Sequence, residues 1–310
     1  MWFRNLVVYR FTRPFDLGAE ALENKLDEAR FHRCRAQELS KQGWSSPMGK
    51  LGEQLVFTSN GCLLINLRKE EKIIPASVVN DQLGERVEAI ENEQDRKVRK
   101  KERDTLKEEI MIDLLPKAFS RFSHTLAFID PRSGVLVVDA SSAKRAEDLC
   151  SHLRKTLGSL PVTIPALLQA PSAIMTRWLE DEAEQPDGFV IGDEAELQEP
   201  AENGGVVRCK QQALFSDEIR AHLDAGKQVC KIGLHWRDKL SFLLGDDLIL
   251  RRVKFSDSVQ DQAADMGQAD AAAAFDADFF LMTQEVTALI PELFAVLGGE
   301  NRESYNAVTV

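Results

Sequence analysis

The sequence predicts an α+β fold in which antiparallel sheets pack with helices, with a projecting helical arm and a second, β-rich domain. Three observations support this prediction: two β-hairpin patterns in the first half, a long segment rich in Glu, Lys, Arg and Gln between them, and a series of short β-like runs in the second half. With 310 residues, 44% of them apolar, the chain can bury one large core or two smaller ones. Length alone suggests about two domains.

The first predicted elements are a strand and a helix. Residues 2–11 are rich in aromatic and β-branched side chains, which is typical of a strand buried over much of its surface. A helix is expected next, with Asp16 as its N-cap and with Leu22, Leu26 and Ala29 at helical spacing.

A structured loop and a first hairpin follow the helix. The loop is predicted at residues 43–49 because of their glycines and proline. Strands at residues 54–58 and 62–67 then flank Asn60-Gly61, the pair that best tolerates the positive φ angles of a tight hairpin turn.

A second hairpin and a further helix are predicted downstream. Strands at residues 125–129 and 135–139 are joined by residues 130–134, which contain a proline and a glycine. The next helix carries an apolar stripe, and Gly158 is expected to cap its C-terminus. The stripe consists of Ala146, Leu149, Cys150, Leu153 and Leu157.

The segment between the hairpins is predicted to be helical from Pro75 to Pro116. Unbroken, it would extend about 60 Å at roughly 1.5 Å per residue, so a break is expected near Gly84, its single interior glycine. Apolar residues are sparse over residues 90–106. Most of this projecting arm must therefore face water or a partner.

The second half of the chain is predicted to be mostly strands. A proline-rich, apolar stretch at residues 160–171 indicates a domain boundary. Beyond it a helix is expected near residues 218–224, and an amphipathic helix at residues 279–297 follows an acidic, alanine-rich connector. The predicted strands lie at residues 189–191, 206–210, 229–236, 240–244 and 248–255.

These elements divide the chain into four predicted parts. Residues 1–75 form a first domain together with residues 117–160 and about 265–300, and residues 76–116 form the arm. Residues 161–264 form the second domain, and residues 301–310 are expected to be a disordered tail.

Charge is distributed unevenly along this acidic chain, whose formal net charge is −11. Ten carboxylates and no basic residue lie between Trp178 and Val207, and nine carboxylates and no basic residue lie between Phe255 and Asn301. Outside these two segments, the chain contains 39 basic and 31 acidic residues. Such segregation predicts one surface that repels a polyanion and one that attracts it, although charge blocks also occur as merely solvated faces.

The sequence offers little support for an enzyme. It contains no phosphate-binding loop, no G-x-G-x-x-G, no H-E-x-x-H and no G-x-S-x-G motif, and its five histidines are scattered. Asp246-Asp247 could take part in a divalent-metal site, but a carboxylate pair beside a glycine is more typical of a hairpin turn. The five cysteines lie far apart and are expected to be reduced and mostly buried. We therefore expect no catalytic residue, no metal and no cofactor.

The sequence gives no sign of membrane insertion or export. No run of about eighteen apolar residues is apparent, and the N-terminus lacks the pattern of a signal peptide. The cytoplasm is the expected location, with no membrane partner.

The strongest indication of function is a basic segment within the predicted arm. On one helix, five of its cations would share a face at spacings i, i+3, i+4, i+7 and i+11, with Lys97 and Lys101 on the flank. The five are Arg96, Arg99, Lys100, Arg103 and Lys107. Such a stripe can neutralise several phosphates of duplex DNA and release their counterions.

The alternative for this stripe is an ordinary solvated helix. Glu93 precedes Lys97 by four residues and Asp95 precedes Arg99 by four, the arrangement of surface ion pairs. Less specific basic positions follow elsewhere: Lys117, Arg121, Lys144, Arg145 and the run Arg208-Cys209-Lys210-Gln211-Gln212. The last run suits phosphate or sugar contacts, and it equally suits an exposed strand end.

Several motifs, in this order along the chain, resemble the RdgC family. They are Trp2-Phe3-Arg4-Asn5-Leu6, Gly43-Trp44 with Pro47-Met48-Gly49, Arg68-Lys69-Glu70-Glu71-Lys72-Ile73-Ile74-Pro75, Leu114-Leu115-Pro116-Lys117-Ala118-Phe119-Ser120-Arg121-Phe122-Ser123, Ser141-Ser142-Ala143-Lys144-Arg145-Ala146-Glu147-Asp148 and Phe275-Asp276-Ala277-Asp278-Phe279. The resemblance runs essentially from end to end, except that the tail from Asn301 carries no recognisable pattern.

The resemblance implies a ring-shaped homodimer around duplex DNA, with central, tip and base regions in each subunit. It also implies binding with little sequence preference, a place at the nucleoid, and restraint of RecA-promoted strand exchange. Single-stranded DNA stays open as a further partner. The resemblance points to Arg96, Lys210 and Gln211 as DNA contacts and to Phe119 as a residue of the subunit contact, for which a core position is the alternative.

Three hypotheses follow, in decreasing order of support. The first is a non-enzymatic, dimeric DNA clamp in which the basic arm and the Lys210-Gln211 region bind phosphates while acidic surfaces face outward. The second is a regulatory adaptor whose arm and C-terminal helix bind proteins, and the third is a metal-dependent nuclease.

Overall fold

The computed structural model describes residues 1–201 and 204–306. Within them, strands form two antiparallel sheets that pack with helices, which confirms the predicted α+β class. The first sheet contains β1 (Val7–Phe11), β2 (Ser40–Ser45), β3 (Val56–Ser59), β4 (Cys62–Ile73), β5 (Phe119–Asp130), β6 (Val135–Val138) and β7 (Val162–Thr163). The second contains β8 (Phe189–Gln198), β9 (Val206–Lys210), β10 (Gln228–Trp236), β11 (Leu240–Gly245) and β12 (Leu250–Phe255).

The strand order explains how distant parts of the chain meet. The first sheet runs β2-β4-β5-β6-β1-β7, with β3 also paired to β4, and the second runs β12-β11-β10-β8-β9. The helices are α1 (Ala19–Asp27), α2 (Ala76–Gln94), α3 (Lys100–Leu114), α4 (Ala143–Leu157), α5 (Pro171–Glu180), α6 (Asp217–Asp224), α7 (Asp257–Met266), α8 (Ala271–Val296) and α9 (Glu303–Asn306).

Alternation along the strands sorts the apolar side chains into two cores. One face of the first sheet, with Ile65 and Ala127, packs against α1 and α4. The opposite face, with Leu64 and Phe128, packs against α8, which also covers the inner face of the second sheet. This second core therefore contains residues from both predicted domains, and the outer face of the second sheet carries the polar residues that alternate with the buried ones.

Helix α8 is long and apolar, although no long apolar stretch is expected from the sequence. Over the described residues it is the one helix whose length and composition would suffice to cross a membrane, with 56% of its most apolar window buried inside the protein. Its buried side chains include Phe279, Met282 and Leu289, which belong to the core between the sheets. Two carboxylates of α8 bind the second sheet: Lys239 donates to both oxygens of Glu285 at 2.7 and 2.9 Å, and Trp236 Nε1 donates to Glu292 at 2.8 Å.

Local structure departs from the prediction around α1 and β2. The N-cap of α1 is Gly18 rather than Asp16, without a side-chain cap. Residues 43–45, predicted as a loop, belong to strand β2, which pairs with β4. A Cβ on Gly43 would lie 2.6 Å from Cα of Phe31, so only glycine allows these two chain segments to approach each other.

Strands β4 and β5 are longer than predicted and form the base of the arm. They pair from Leu63 opposite Ile129 to Ile73 opposite Phe119. The polar residues of their outer halves gave no apolar alternation to detect, yet each strand still supplies backbone hydrogen bonds to its neighbour. The two strands therefore hold both ends of the arm side by side.

The arm is a hairpin of α2 and α3, and its break lies at Asp95 instead of near Gly84. Gly84 remains inside α2, where a glycine costs only about 1 kcal/mol relative to alanine. Asp95 ends α2 in the left-handed conformation, with φ 46°, and Arg99 is the N-cap of α3. Because the chain reverses here, α2 and α3 can bury Val79, Leu83 and Ile110 between them.

The C-terminal region is more ordered than expected. The predicted connector before α8 contains helix α7, and the predicted helix at residues 279–297 begins earlier, at Ala271. Asn301 N–H donates to the carbonyl of Ala166, and the Tyr305 hydroxyl accepts from Ala166 N–H at 3.2 Å. Residues 301–306 are thus held against the fold, contrary to the expectation of a disordered tail; residues 307–310 lie outside the described residues.

Candidate nucleic-acid interface

The predicted stripe of five cations on one helical face does not exist as such. The break at Asp95 places Arg96, Lys97 and Arg99 before the first residue of α3. Lys100, Arg103 and Lys107 still share one face of α3 at spacings of three and four residues, and Lys101 lies beside them. All seven side chains are exposed.

Carboxylates bind only part of this basic segment. Both terminal nitrogens of Arg96 donate to Glu102, at 2.7 and 2.6 Å, and Lys97 lies 3.3 Å from Glu91. The hydrogen bond from Arg96 holds the pKa of Glu102 below its ordinary value, as expected for this bidentate pair. The i,i+4 pairs from Glu93 and Asp95 are absent among the described residues, because the reversal at Asp95 interrupts the helix on which they depend.

The remaining arm cations face solvent. Among the described residues, no carboxylate lies within 4.0 Å of the charged nitrogens of Arg99, Lys100, Lys101, Arg103 or Lys107. Phosphates could therefore approach these five side chains without displacing an ion pair.

Two predicted site residues lie where the arm returns to the first sheet. Lys117 ends a short 3₁₀ helix after α3 and is exposed. Phe119 is the first residue of β5, and its side chain is 85% exposed. Within a single chain it is therefore not a core residue.

Lys210 and Gln211 lie far along the chain from the arm, at the end of edge strand β9. Lys210 is exposed, with Nζ 3.9 Å from a carboxylate oxygen of Glu194. Gln211 follows in the left-handed region, with φ 53°, and is also exposed. These two residues lie beside a larger charged surface that the sequence analysis did not identify.

This surface, called here the open face, is the outer face of the second sheet. Five cations and two carboxylates line a cleft of about 340 Å³ on it. They are Arg208, Lys210, Lys231, Arg251, Arg252, Glu194 and Glu196. Lys254, His235 and a third carboxylate, Asp193, line the adjoining cleft. The cations thus exceed the carboxylates on this face of an acidic protein.

Ion pairs fix the geometry of the open face. Glu196 accepts from Arg208 at 2.8 Å and from Lys231 at 2.9 Å, and Glu194 lies 2.7 Å from Arg252. Burial raises the pKa of Glu196, but its hydrogen bonds from Lys231 and Arg208 outweigh burial and keep the pKa below its ordinary value. The Glu196 carboxylate therefore stays charged and holds Arg208 and Lys231 in place.

A period-two pattern could have revealed the open face. Lys231 and His235 alternate with buried residues of β10, and Arg252 and Lys254 flank the buried Val253 of β12. Each of these strands contributes only two alternating basic or imidazole residues. These residues lie together only because the strands pair in the order β12-β11-β10-β8. Sequence reasoning weighted the continuous basic run of the arm instead.

The acidic segments do not simply face outward. Glu194 and Glu196 lie among the cations of the open face, and Glu285 is buried in its pair with Lys239. Glu300 accepts two hydrogen bonds from Arg10, at 2.7 and 2.9 Å. These carboxylates compensate cations that come from distant parts of the chain, so counts along the sequence overestimated the separation of charge.

Features that could support catalysis are sparse in the described part of the chain. Asp247 accepts from Arg251 at 2.9 Å in the turn between β11 and β12, which fits the predicted hairpin turn. No group of three or more His, Cys, Asp or Glu side chains with metal-binding proximity occurs among the residues described. All five cysteines are free, and burial raises the pKa of Cys62 and Cys230 to about 11.

The chain matches one family model and many curated proteins over nearly its full length. The family model, described as "Putative exonuclease, RdgC", matches residues 1–300. Proteins named Recombination-associated protein RdgC are 51% identical over 302 residues in Aeromonas hydrophila and 52% identical over 300 residues in Psychromonas ingrahamii. Each of these matches covers 97% of this chain and 99% of the relative.

A third relative of the same name, from Tolumonas auensis, is 50% identical over 303 residues, which cover 98% of this chain and 100% of the relative. These similarities agree with the motifs that the sequence shares with the family. This chain belongs to the RdgC family.

Proposed function

We propose that this protein acts in recombination as a non-enzymatic DNA-binding protein, a homodimeric ring around duplex DNA. It binds with little sequence preference and restrains RecA-promoted strand exchange by competing for DNA. Its location is the cytoplasm, at the nucleoid. The names of its relatives support the link to recombination.

The observation that carries the proposal is the set of five arm cations that have no carboxylate within 4.0 Å among the residues described. A phosphate backbone gains most from cations whose charge is not already compensated. The open face, with Lys210 and Gln211 at its edge, supplies a second cationic surface on a rigid sheet. Two such surfaces in each of two subunits would line a ring with positive charge.

The salt dependence of binding tests this proposal. Affinity for random-sequence duplex is expected to fall steeply as salt is raised, with a slope of about 0.9 per phosphate contact in a double-logarithmic plot. Particle mass in solution, with and without duplex, tests the dimer. Affinity that does not change with salt would contradict the proposed phosphate contacts.

Charge reversal separates this function from a protein-binding adaptor. Arg99→Glu with Arg103→Glu is expected to lower duplex affinity sharply, because both side chains are exposed and unpaired within the described structure. If the protein is instead an adaptor that does not contact DNA, the double variant and the unchanged protein should bind duplex equally weakly. Lys50→Glu, at an exposed position outside the arm and the open face, is the matched control.

The description of the family model gives one reason to test a nuclease as well. End-labelled duplex and single strands, incubated with magnesium or manganese, are expected to remain intact, since Asp247 is paired with Arg251. Metal-dependent shortening of the labelled strand that is lost in Asp247→Asn would favour the nuclease.

A further inference from the structure

A third basic surface lies on the first sheet, apart from both the arm helices and the open face. The loop after α1 reads Arg30-Phe31-His32-Arg33-Cys34-Arg35, in which Phe31 and Cys34 interrupt four basic or imidazole side chains. The loop is fixed to edge strand β2, since Phe31 N–H donates to the Trp44 carbonyl at 2.8 Å. Its side chains therefore have a defined position against the outer halves of β4 and β5.

Aromatic rings and guanidinium groups alternate on this surface. The Arg68 guanidinium carbon lies 4.7 Å from the ring centre of Phe31 and 4.6 Å from that of Phe122. The Arg33 guanidinium carbon lies 5.9 Å from the centre of the Phe122 ring. We call these four residues, Phe31, Arg33, Arg68 and Phe122, the Phe122 platform.

Packing explains only part of the platform. Arg68 fastens the loop to the sheet through the two rings, and its buried Nε has no hydrogen-bond partner in the described structure. Phe122, by contrast, keeps 36% of its surface exposed, and Arg33 is exposed. An exposed aromatic ring beside an exposed guanidinium gains little from facing water, and both present a flat surface to a ligand.

The guanidinium groups of the platform have no carboxylate partner in the described structure. Within the described residues no carboxylate lies within 4.0 Å of the charged nitrogens of Arg33, Arg35 or Arg68. Three carboxylates contact the loop elsewhere: Asp27 pairs with the Arg30 side chain at 2.6 Å, Glu38 accepts from Arg35 N–H at 2.7 Å, and Glu70, which is almost fully buried, accepts from Cys34 N–H at 2.8 Å. Lys72 donates to backbone carbonyls and Arg30 pairs with Asp27, which leaves Arg33 and Arg35 as the available cations of the loop.

We propose that the Phe122 platform binds an unpaired base of single-stranded DNA, which stacks on Phe122 and the Arg33 guanidinium while Arg35 contacts a flanking phosphate. This inference rests on the proposed function and adds a separate site for single strands. Base stacking on aromatic side chains tolerates any sequence, because every base has a flat π face. A duplex hides these faces between neighbouring base pairs, so the platform discriminates single strands from double strands.

Four ligands of equal length test the proposal: oligo(dT), an abasic deoxy strand with the same phosphates, oligo(rU) and a duplex. Phe122→Leu, which keeps an apolar side chain but removes the aromatic face, is expected to weaken oligo(dT) binding about tenfold. Binding of the abasic strand and of duplex is expected to change less than about twofold. Lys50→Ala, which removes one exposed cation elsewhere, is the matched control.

A spectroscopic readout separates stacking from a structural role. A strand with one 2-aminopurine is expected to change its emission on binding to the unchanged protein and to lose that change with Phe122→Leu. Arg33→Ala, at an exposed position with no ion pair in the described structure, is expected to reduce both the emission change and the affinity for oligo(dT).

Each outcome decides a different claim. An unchanged ratio of oligo(dT) to abasic affinity in Phe122→Leu overturns the platform, and tighter binding of oligo(rU) than of oligo(dT) overturns its assignment to DNA. Salt-dependent duplex binding that persists in Phe122→Leu leaves the proposed function standing in either case. If the unchanged protein binds no duplex but still prefers oligo(dT), the proposed function fails and the platform survives.

Discussion

The arm and the open face both carry cations, but they hold them in different ways. On the arm, Lys100, Arg103 and Lys107 extend from a two-helix hairpin whose core is three buried residues. On the open face, Lys231 and Arg252 extend from strands that are hydrogen-bonded within a five-stranded sheet and are fixed by Glu196 and Glu194. Carboxylates thus compensate less of the charge on the arm, and the arm is the more weakly supported surface. On the open face more of the charge is compensated, and the support is stronger.

This difference indicates complementary roles in gripping a polyanion. Helices with few buried contacts open locally at low free-energy cost, so the arm can adapt to the path of a phosphate backbone. Cations held in a sheet by ion pairs lose less conformational entropy on binding, so the open face is already organised for its ligand. The comparison predicts separable effects when either surface is changed.

The largest expected effect is the loss of arm structure on Ile110→Ala. Ile110 is fully buried in the small arm core, and such truncations cost about 2–5 kcal/mol. Hydrogen exchange is expected to quicken throughout α2 and α3 while β10 stays protected. Ile112→Ala, at a position that is 52% exposed, is the control. Equal loss of protection in both regions would show that the arm is not an independent unit.

The next effect concerns the summed charge of α3. Replacing Lys100, Arg103 and Lys107 together by alanine is expected to reduce the salt slope of duplex binding by about three units, because each phosphate contact contributes about 0.9. Titrations at several salt concentrations give this slope, with Lys50→Ala as the comparison. A slope equal to that of the unchanged protein would place the contacts elsewhere.

A smaller effect is expected at the edge of the open face. Lys210→Ala removes one exposed cation whose nearest carboxylate is 3.9 Å away, and the salt slope is expected to fall by about one unit. Since the sheet does not depend on this side chain, the thermal unfolding midpoint should remain the same. A loss of affinity that is equal at all salt concentrations would argue against a phosphate contact.

The smallest expected effect is electrostatic and depends on pH. The pKa of Glu196 lies below its ordinary value of 4.5, so its ion pairs stabilise the fold above that pH and the stabilisation is lost as pH falls through the lowered pKa. Glu196→Gln is expected to cost less than about 1 kcal/mol at pH 7, because the paired cations are partly exposed. The difference in unfolding free energy from the unchanged protein should vanish in acid.

The same variant also tests how ion pairing limits DNA affinity on the open face. Without the Glu196 carboxylate, Arg208 and Lys231 lose their ion pair, so duplex affinity is expected to rise by a small factor at pH 7. Glu102→Gln, which frees Arg96 on the arm, provides the matched test on the other surface. If Glu196→Gln instead lowers duplex affinity, then Glu196 favours binding by holding the cations in position more than it opposes binding by neutralising their charge.

Features that depend on neighbouring residues could be predicted from the chain alone. Asn60-Gly61 forms the expected turn, with φ angles of 52° and 69°, and Gly158 ends α4 in the left-handed region as predicted. Most predicted strands exist, and the shared motifs identified the family. Local backbone preferences and side-chain periodicity act over a few residues, and such information can be read directly from the chain.

Which charges lie together depends on contacts between distant parts of the chain. The arm breaks at Asp95 because α2 and α3 bury Val79, Leu83 and Ile110 against each other, a gain that no local signal at Gly84 could match. The open face exists because strand pairing joins residues that are up to about sixty positions apart in the chain, from Glu194 to Lys254. Coulomb interactions depend on distance in space, so the sign of a protein surface is set by packing rather than by the order of its residues.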